Sequence, residues 1–428
     1  MPRGCFKIVL ITLFVVSVGM FNLYAETEKK YNSEDYFRNF EEFVKVIKEI
    51  QDKYVVAEVE LKEILKNAYR GILSGLDNYS QFIDSDNLEE LKIETEGQFD
   101  GLGIEVIIQN GILTVLTPIV DSPAFRAGIL IGDRIIKING ESTKNITIRE
   151  AIKMLRGKTN TEVTITVVHE GESEPKDITI KRDKIHVMSI RGARIVDNES
   201  KIGYIAVTNF QENTVADMDL AIEGLRKEGM ESLILDLRFN PGGLLSVAVD
   251  MVDRFVKKGI IVSTKGRHKS QDHEYKAHRS DTYPHFPLIL LVNNGSASAS
   301  EIVAGAVKDH KRGLLLGTKT YGKGSVQSLI PIVARNSALK LTTARYYTPS
   351  GAQIDNTGIE PDIKVDLTKE EVQELYSYLS RINAKDIRID NGQENSGNMK
   401  SDYVDAQLKR AIEILKGIRI YGQISGGV

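Results

Sequence analysis

From residue 200 to residue 366 short apolar runs alternate with stretches of helical period, and this pattern limits the fold more than any other feature of the chain. Residues 202–207, 232–237 and 288–292 read as strands, the last of them wholly apolar. Helical patterns over 213–228, 244–256 and 299–310 follow them in turn, with shorter strands at 260–264 and 314–316. Strands that are apolar on both faces need cover on both faces, and crossover helices supply it. The expected class is therefore α/β, with buried strands. One polar insertion, residues 265–285, holds four of the seven histidines and reads as a solvated loop.

The flanks differ in kind. Arg3 and Lys7 precede a mostly apolar stretch, 8–23, that ends in Leu23-Tyr24-Ala25 before Glu26 opens a charged segment. A basic start, a short apolar centre and a small residue at the end make residues 1–25 an export signal, or, if retained, a membrane anchor of about the shortest length that spans a bilayer. Residues 33–75 read as two amphipathic helices with an assembly or packing role. At the other end a capping box, Thr368-Lys369-Glu370-Glu371, starts a helix; a polar linker, 391–398, precedes a last helix over 404–416. Composition excludes several classes. With 56 basic against 59 acidic residues the chain lacks the excess of a nucleic-acid binder. Its one cysteine, Cys5, precludes a multi-cysteine zinc site or an internal disulfide, and removal of the leader would leave no thiol nucleophile.

Residues 99–182 have their own pattern. Gly101-Leu102-Gly103-Ile104 leads into a strand, a turn at Asn110-Gly111 and a second strand. Ser122-Pro123-Ala124 and the run Gly132-Asp133-Arg134-Ile135-Ile136-Lys137-Ile138-Asn139-Gly140 come next. A helix follows, capped by Thr147 and Glu150 and stopped at Gly157, with Ile148, Ala151, Ile152 and Leu155 on one face. Together these resemble a PDZ domain. The Gly101–Ile104 loop would hold a terminal carboxylate on its backbone amides, and Ile148, Ile152 and Leu155 would wall an apolar pocket for the last side chain.

The chemistry lies further on. In Gly295-Ser296-Ala297-Ser298-Ala299-Ser300-Glu301 serines alternate where an apolar strand turns into a helix, at the positive end of its dipole. Gly322-Lys323-Gly324 lies nearby in sequence. A buried lysine of depressed pKa is a competent base for a serine nucleophile, and the pair needs no histidine. Three rival motifs fail. The run from Gly317 imitates a phosphate loop, but Gly324 stands where a hydroxyl is required and a strand-like run follows instead of a helix. Ser337 and Lys340 have the spacing of a Ser-x-x-Lys pair but lie in a strand-like run. His273 and His278 are five residues apart, off one helical face, so no metal site is expected.

On these residues, with Asp236-Leu237-Arg238-Phe239-Asn240-Pro241-Gly242-Gly243, Leu76-Asp77-Asn78-Tyr79-Ser80 and Tyr347-Thr348-Pro349-Ser350-Gly351, the chain resembles the carboxyl-terminal processing proteases over nearly all of residues 30–420. The resemblance implies a crotonase- or ClpP-like α/β protease core with an inserted PDZ domain and helical terminal segments. The expected divisions are 1–25 (signal), 26–98 (N-terminal helical region), 99–182 (PDZ domain), 183–366 (protease core) and 367–428 (C-terminal helical region). It implies Ser298 as nucleophile, Lys323 as base, Gln327 as the residue orienting the lysine, and the amides of Gly243 and Ala299 as oxyanion hole. Asp236 and Arg238 are expected to be structural. The family has proline where Asn78 stands and a basic residue near Ala352. The implied activity is that of an exported serine endopeptidase acting on proteins with free C-termini, with no cofactor and no nucleic acid. The terminal helices are candidate surfaces for a homo-oligomer or an activating partner, and Arg156 is a candidate link between the PDZ domain and the dyad. A PDZ scaffold with an inert hydrolase-like domain is the alternative.

Overall fold

The computed structural model describes residues 33–385 and 404–425, apart from 57, 120, 170, 279, 281 and 333–335. The expected leader and the linker at 391–398 lie outside these. The chain divides into two compact units, Met1–Leu76 and Asp77–Val428. In the first, the two expected helices form as Ser33–Lys53 and Leu61–Ser74.

The second unit takes in residues 77–98, which the sequence had grouped with the N-terminal helices. A carboxylate decides this. Asp77 accepts the amides of Tyr79 and Ser80, both at 2.7 Å, and turns the chain so that Gln81–Ile83 pairs antiparallel with the strand Ser337–Tyr347. The helix Ser85–Glu96 follows, which the sequence pattern had not indicated. Asp84 caps its start, and Gly97, at a φ of 68°, ends it.

The expected α/β layer is a six-stranded sheet. Its spatial order follows the chain: Ile190–Asp197, Ile202–Val207, Ser232–Asp236, Leu288–Val292, Leu314–Gly317 and Ile363–Lys364. The first pair is antiparallel and the rest parallel. Alternate side chains feed two cores. Ile205, Leu233, Leu235, Leu288 and Leu290 pack with the crossover helices Thr214–Lys227, Leu245–Asp253 and Ala299–Asp309. Tyr204, Ile234, Ile289, Leu291 and Leu316 face the other way and take Ala411 and Leu415 from the C-terminal helix Ala406–Ser425. That helix runs nine residues beyond the expected end at 416.

A second sheet is built on Ser337–Tyr347, which pairs with Gln81–Ile83, Gly259–Gly266 and Ser325–Ile332. The polar insertion is not simply a loop: His273–Ala277 is a strand paired with Gly259–Gly266, because alternation inside the segment gives it one half-buried face. The PDZ-like unit is a separate sheet around Leu113, Val115, Ile135, Ile138, Val163 and Ile165. It joins the rest through a two-stranded neck, Gln98–Gly101 against Asp183–His186.

Candidate active site

Ser298 sits where the strand Leu288–Val292 gives way to the helix Ala299–Asp309, and its φ is 56°. A residue with a Cβ held there stores strain, which the surroundings must enforce. Its neighbours supply that enforcement. Ser296, wholly buried, donates its hydroxyl to the Leu237 carbonyl at 2.7 Å, and Ser300, also buried, donates to the Asn240 carbonyl at 3.0 Å. The two flanking serines therefore stitch the turn to the loop 237–240. Ser298 is the partly exposed one of the three.

That loop continues into Gly242 and Gly243, at φ of 107° and 148°. A Cβ on Gly242 would come within 2.8 Å of the Ser298 Cβ and 2.9 Å of the Ala299 amide nitrogen, so only glycine lets the two backbones approach this closely. The amide hydrogens of Gly243 and Ala299 find no acceptor among the described residues. Two unspent donors beside a serine are the arrangement that an oxyanion requires.

Lys323 is tied to Ser298 by a residue to which sequence reasoning gave no role. Glu301, fully buried, accepts the Ser298 amide at 2.9 Å and the Lys323 amide at 2.8 Å on one carboxylate oxygen. On the other oxygen it accepts the Gly322 amide at 2.7 Å and the Thr320 hydroxyl at 2.6 Å. One carboxylate thus fixes both chain segments. Burial pushes the Glu301 carboxyl up, and the four donors pull it partly back. The Ser-x-x-Glu spacing was a legible signal for half of this, the bond to the Ser298 amide. Tyr346 adds a second link: its buried hydroxyl donates to the Lys323 carbonyl and contacts the Ser298 side chain.

The Lys323 amine is held below the ordinary lysine value, first by burial and then by the charge of Lys340, against an opposite pull from Glu301. Its Nζ stands 4.8 Å from the centroid of the Tyr79 ring. No hydrogen bond joins the side chains of Ser298 and Lys323 among the described residues. Gln327 turns its amide to Ser325 at 2.9 Å and to Thr342 at 3.3 Å, with no bond to the lysine. Asp236 and Arg238 are buried and bonded to each other, and Arg238 also donates to Asp405. Groups of three or more His, Cys, Asp or Glu able to hold a metal do not occur among the described residues.

In the PDZ-like unit Gly103, at a φ of 76°, lies where a Cβ would run into Ser122. Leu102 fills the core at 2% exposure, while its carbonyl accepts from Ala124 and that of Gly103 from Ile119. Gly101 ends the neck strand, and Ile104 opens the strand Ile104–Gln109. On the helix Ile148–Leu155, Ile148 is exposed and Ile152 half-buried. Leu155 is in the core at 6% exposure, so it is a weaker candidate for a pocket wall than the other two. Arg156 stands just past the helix on extended backbone, not in its last turn, with its guanidinium 5.1 Å from the centroid of the Phe99 ring in the neck.

Two family models match parts of the chain. Residues 201–365 match the model of peptidase family S41, and residues 114–168 match a PDZ domain. A carboxy-terminal-processing protease of Bartonella bacilliformis is 38% identical over 397 residues, 90% of either chain. A CtpA-like serine protease of Staphylococcus aureus is 37% identical over 347 residues, 79% of this chain and 66% of that one. Among solved structures, the photosystem II D1 C-terminal processing protease is 30% identical over 74% of this chain and 85% of its own, with a TM-score of 0.43.

Proposed function

The chain belongs to peptidase family S41, as a carboxy-terminal-processing serine protease with a PDZ domain, and from that premise we propose that it cuts proteins near their C-terminal tails through a Ser298–Lys323 dyad. What carries the reading is one arrangement: a strained serine at a helix start, two unspent amides on the adjoining backbone, and a half-buried lysine whose amide is held by the same Glu301 carboxylate as that of the serine. Lys323 takes the proton of the Ser298 hydroxyl as Oγ attacks the peptide carbonyl, and the oxyanion forms against the amides of Gly243 and Ala299. Lys323 returns that proton to the leaving amine. Water, deprotonated by the lysine, then attacks the acyl-enzyme, and Lys323 passes that proton to the departing Ser298 Oγ as the acid product leaves. The test is incubation of the protein with an unfolded substrate, with and without Ser298→Ala, and mass spectrometry of the products. Cleavage that persists in the alanine variant sinks the nucleophile.

Recognition of the free tail by the Gly101–Ile104 loop belongs to the same proposal, as does export directed by residues 1–25. Substrates with an amidated C-terminus should be cut more slowly, and equal rates would remove the PDZ domain from substrate selection. Coupling through Arg156 is supported by its place at the neck. Arg156→Ala should lose stimulation by tail peptides while still binding them.

A further inference from the structure

The catalytic lysine of a half-buried dyad faces a conflict. At rest it must be neutral, so a carboxylate beside Nζ would be harmful. As it takes the proton of Ser298 it becomes an ammonium partly shielded from solvent, and that charge gains from a partner. Here the Glu301 carboxylate is spent on four other donors, and the group against Nζ is the face of Tyr79, 4.8 Å away. We propose that Tyr79 is a positioning residue of the reaction, whose ring face holds Nζ of Lys323 and steadies the ammonium formed when the nucleophile is deprotonated. This rests on the dyad reading above.

The way Tyr79 is mounted supports the assignment. It lies 244 positions from Lys323 in the chain, yet is carried to it on a fixed bracket. Asp77 accepts the Tyr79 amide and also the hydroxyls of Ser80 and Thr342, at 2.8 and 3.3 Å. The Ser80 hydroxyl in turn accepts the Thr342 amide at 3.1 Å. The bracket is thereby bolted to the strand Ser337–Tyr347, whose Tyr346 contacts both members of the dyad. An aromatic face attracts a cation through its quadrupole without the strength of an ion pair, so it lowers the cost of the ammonium and does not lock the resting lysine in that form. The Tyr79 hydroxyl stays protonated: burial, the hydrogen bond with Tyr321 and the nearby charges push it up to about 12. The other groups that bear on this lysine or on the ring beneath it are Lys340 from the strand, Glu301 from the helix Ala299–Asp309, Asp355 from the loop beyond, and Tyr321.

The experiment is the pH dependence of kcat and KM on an unfolded protein substrate. It uses the full chain as wild type, Tyr79→Leu, Tyr79→Phe and Tyr79→Trp, with Ser298→Ala as background and thermal unfolding as the check on folding. Loss of the ring removes stabilisation from the ammonium alone, so the lysine becomes a weaker base. Tyr79→Leu should lose roughly 3- to 10-fold in plateau kcat at constant KM. Its acid limb should move to lower pH, by about half a unit to one unit. Phe and Trp keep a face and should restore both quantities to within about threefold, Trp with the limb highest. A Leu variant with wild-type kcat overturns the proposal. So does one that is slowed with its acid limb unmoved, or a Phe variant as slow as Leu, which would assign the effect to the hydroxyl. Wild-type protein without Ser298-dependent cleavage is a different failure: it overturns the dyad itself, whatever Tyr79 does.

Discussion

Two residue-scale substitutions probe the site from opposite sides. The first is electrostatic. A base works in its deprotonated form, so activity should hold on the alkaline side of the Lys323 pKa and fall as pH drops through it. Burial and the Lys340 charge both depress that pKa, which extends activity toward lower pH. Lys340→Met removes one of the two causes, so the lysine becomes a stronger base, and the acid limb of kcat/KM should move to higher pH with no fall in the plateau. An unmoved limb would show that burial alone sets the base. The second is steric. Gly242→Ala puts a methyl group 2.8 Å from the Ser298 Cβ at a φ of 107°, where a side chain is also strained. The loop must then retreat and carry the Gly243 amide with it. Removing a single oxyanion donor typically costs about 10²–10³ in kcat, and a loss of that order is expected here, with KM little changed. Steady-state kinetics on a protein that unfolds at the wild-type temperature decides it.

At the scale of elements, the end of the PDZ helix Ile148–Leu155 depends on an arginine that helix signals do not reveal. Arg182, buried at 8% exposure, donates to the carbonyls of Met154 at 2.9 Å, Leu155 at 3.0 Å and Glu162 at 3.0 Å, and to the Thr161 hydroxyl at 3.0 Å. All four acceptors are neutral, and burial lowers its pKa without bringing it near physiological pH. Arg182→Ala leaves the last carbonyls of the helix buried without donors, at a cost of roughly 2–4 kcal/mol. Hydrogen exchange should show faster opening of amides 151–156, while the amides of the strand Leu288–Val292 keep their protection; uniform protection throughout would deny Arg182 a capping role. The contrast with Thr147 and Glu150 shows what sequence can carry. That capping box lies within four residues, was legible, and forms as read, with the Thr147 amide 2.9 Å from the Glu150 carboxylate. Strands and crossover helices were legible for the same reason, because their periods are local. The place of residues 77–98 was not, since Ser80 and Thr342 meet across 262 positions and nothing in either neighbourhood announces the other. Within the site, Ser298 and Lys323 stood out by residue type and glycine context. The bracket under Lys323 and the four donors on Glu301 exist only once the chain has closed.

On the scale of the whole molecule, the question is why the C-terminal segment stays with a sheet whose strands are complete without it. Apolar cover is one part, through Ala411 and Leu415 on the second face. The other is a buried ionic lock. Arg238, wholly buried, bonds Asp236 at 2.6 Å, Asp405 at 2.7 and 3.0 Å and Gln407 at 3.0 Å, and the Tyr204 hydroxyl donates to Asp236 at 2.8 Å. Burial alone would lower the guanidinium pKa; the two carboxylates outweigh it and hold it well above the ordinary value. Such a lock adds little net stability over an apolar filling, but breaking one side of it is costly, because the remaining charge cannot return to water. It also stands at the foot of the loop that ends in Gly242 and Gly243, so it joins the tail to the proposed oxyanion hole through four residues of backbone. Asp405→Ala should therefore act twice. Stability should fall by roughly 3–5 kcal/mol, read from the urea midpoint, with limited proteolysis now entering near residue 404. In the fraction that remains folded kcat should fall as well, since the foot of the loop has lost half of its anchor. Asp405→Asn keeps the shape and an acceptor for one guanidinium N–H, and should fall between the two. If Asp405→Ala matches the wild type in both midpoint and kcat, the tail is held by its apolar face alone and the buried charges have no part in setting the active-site loop.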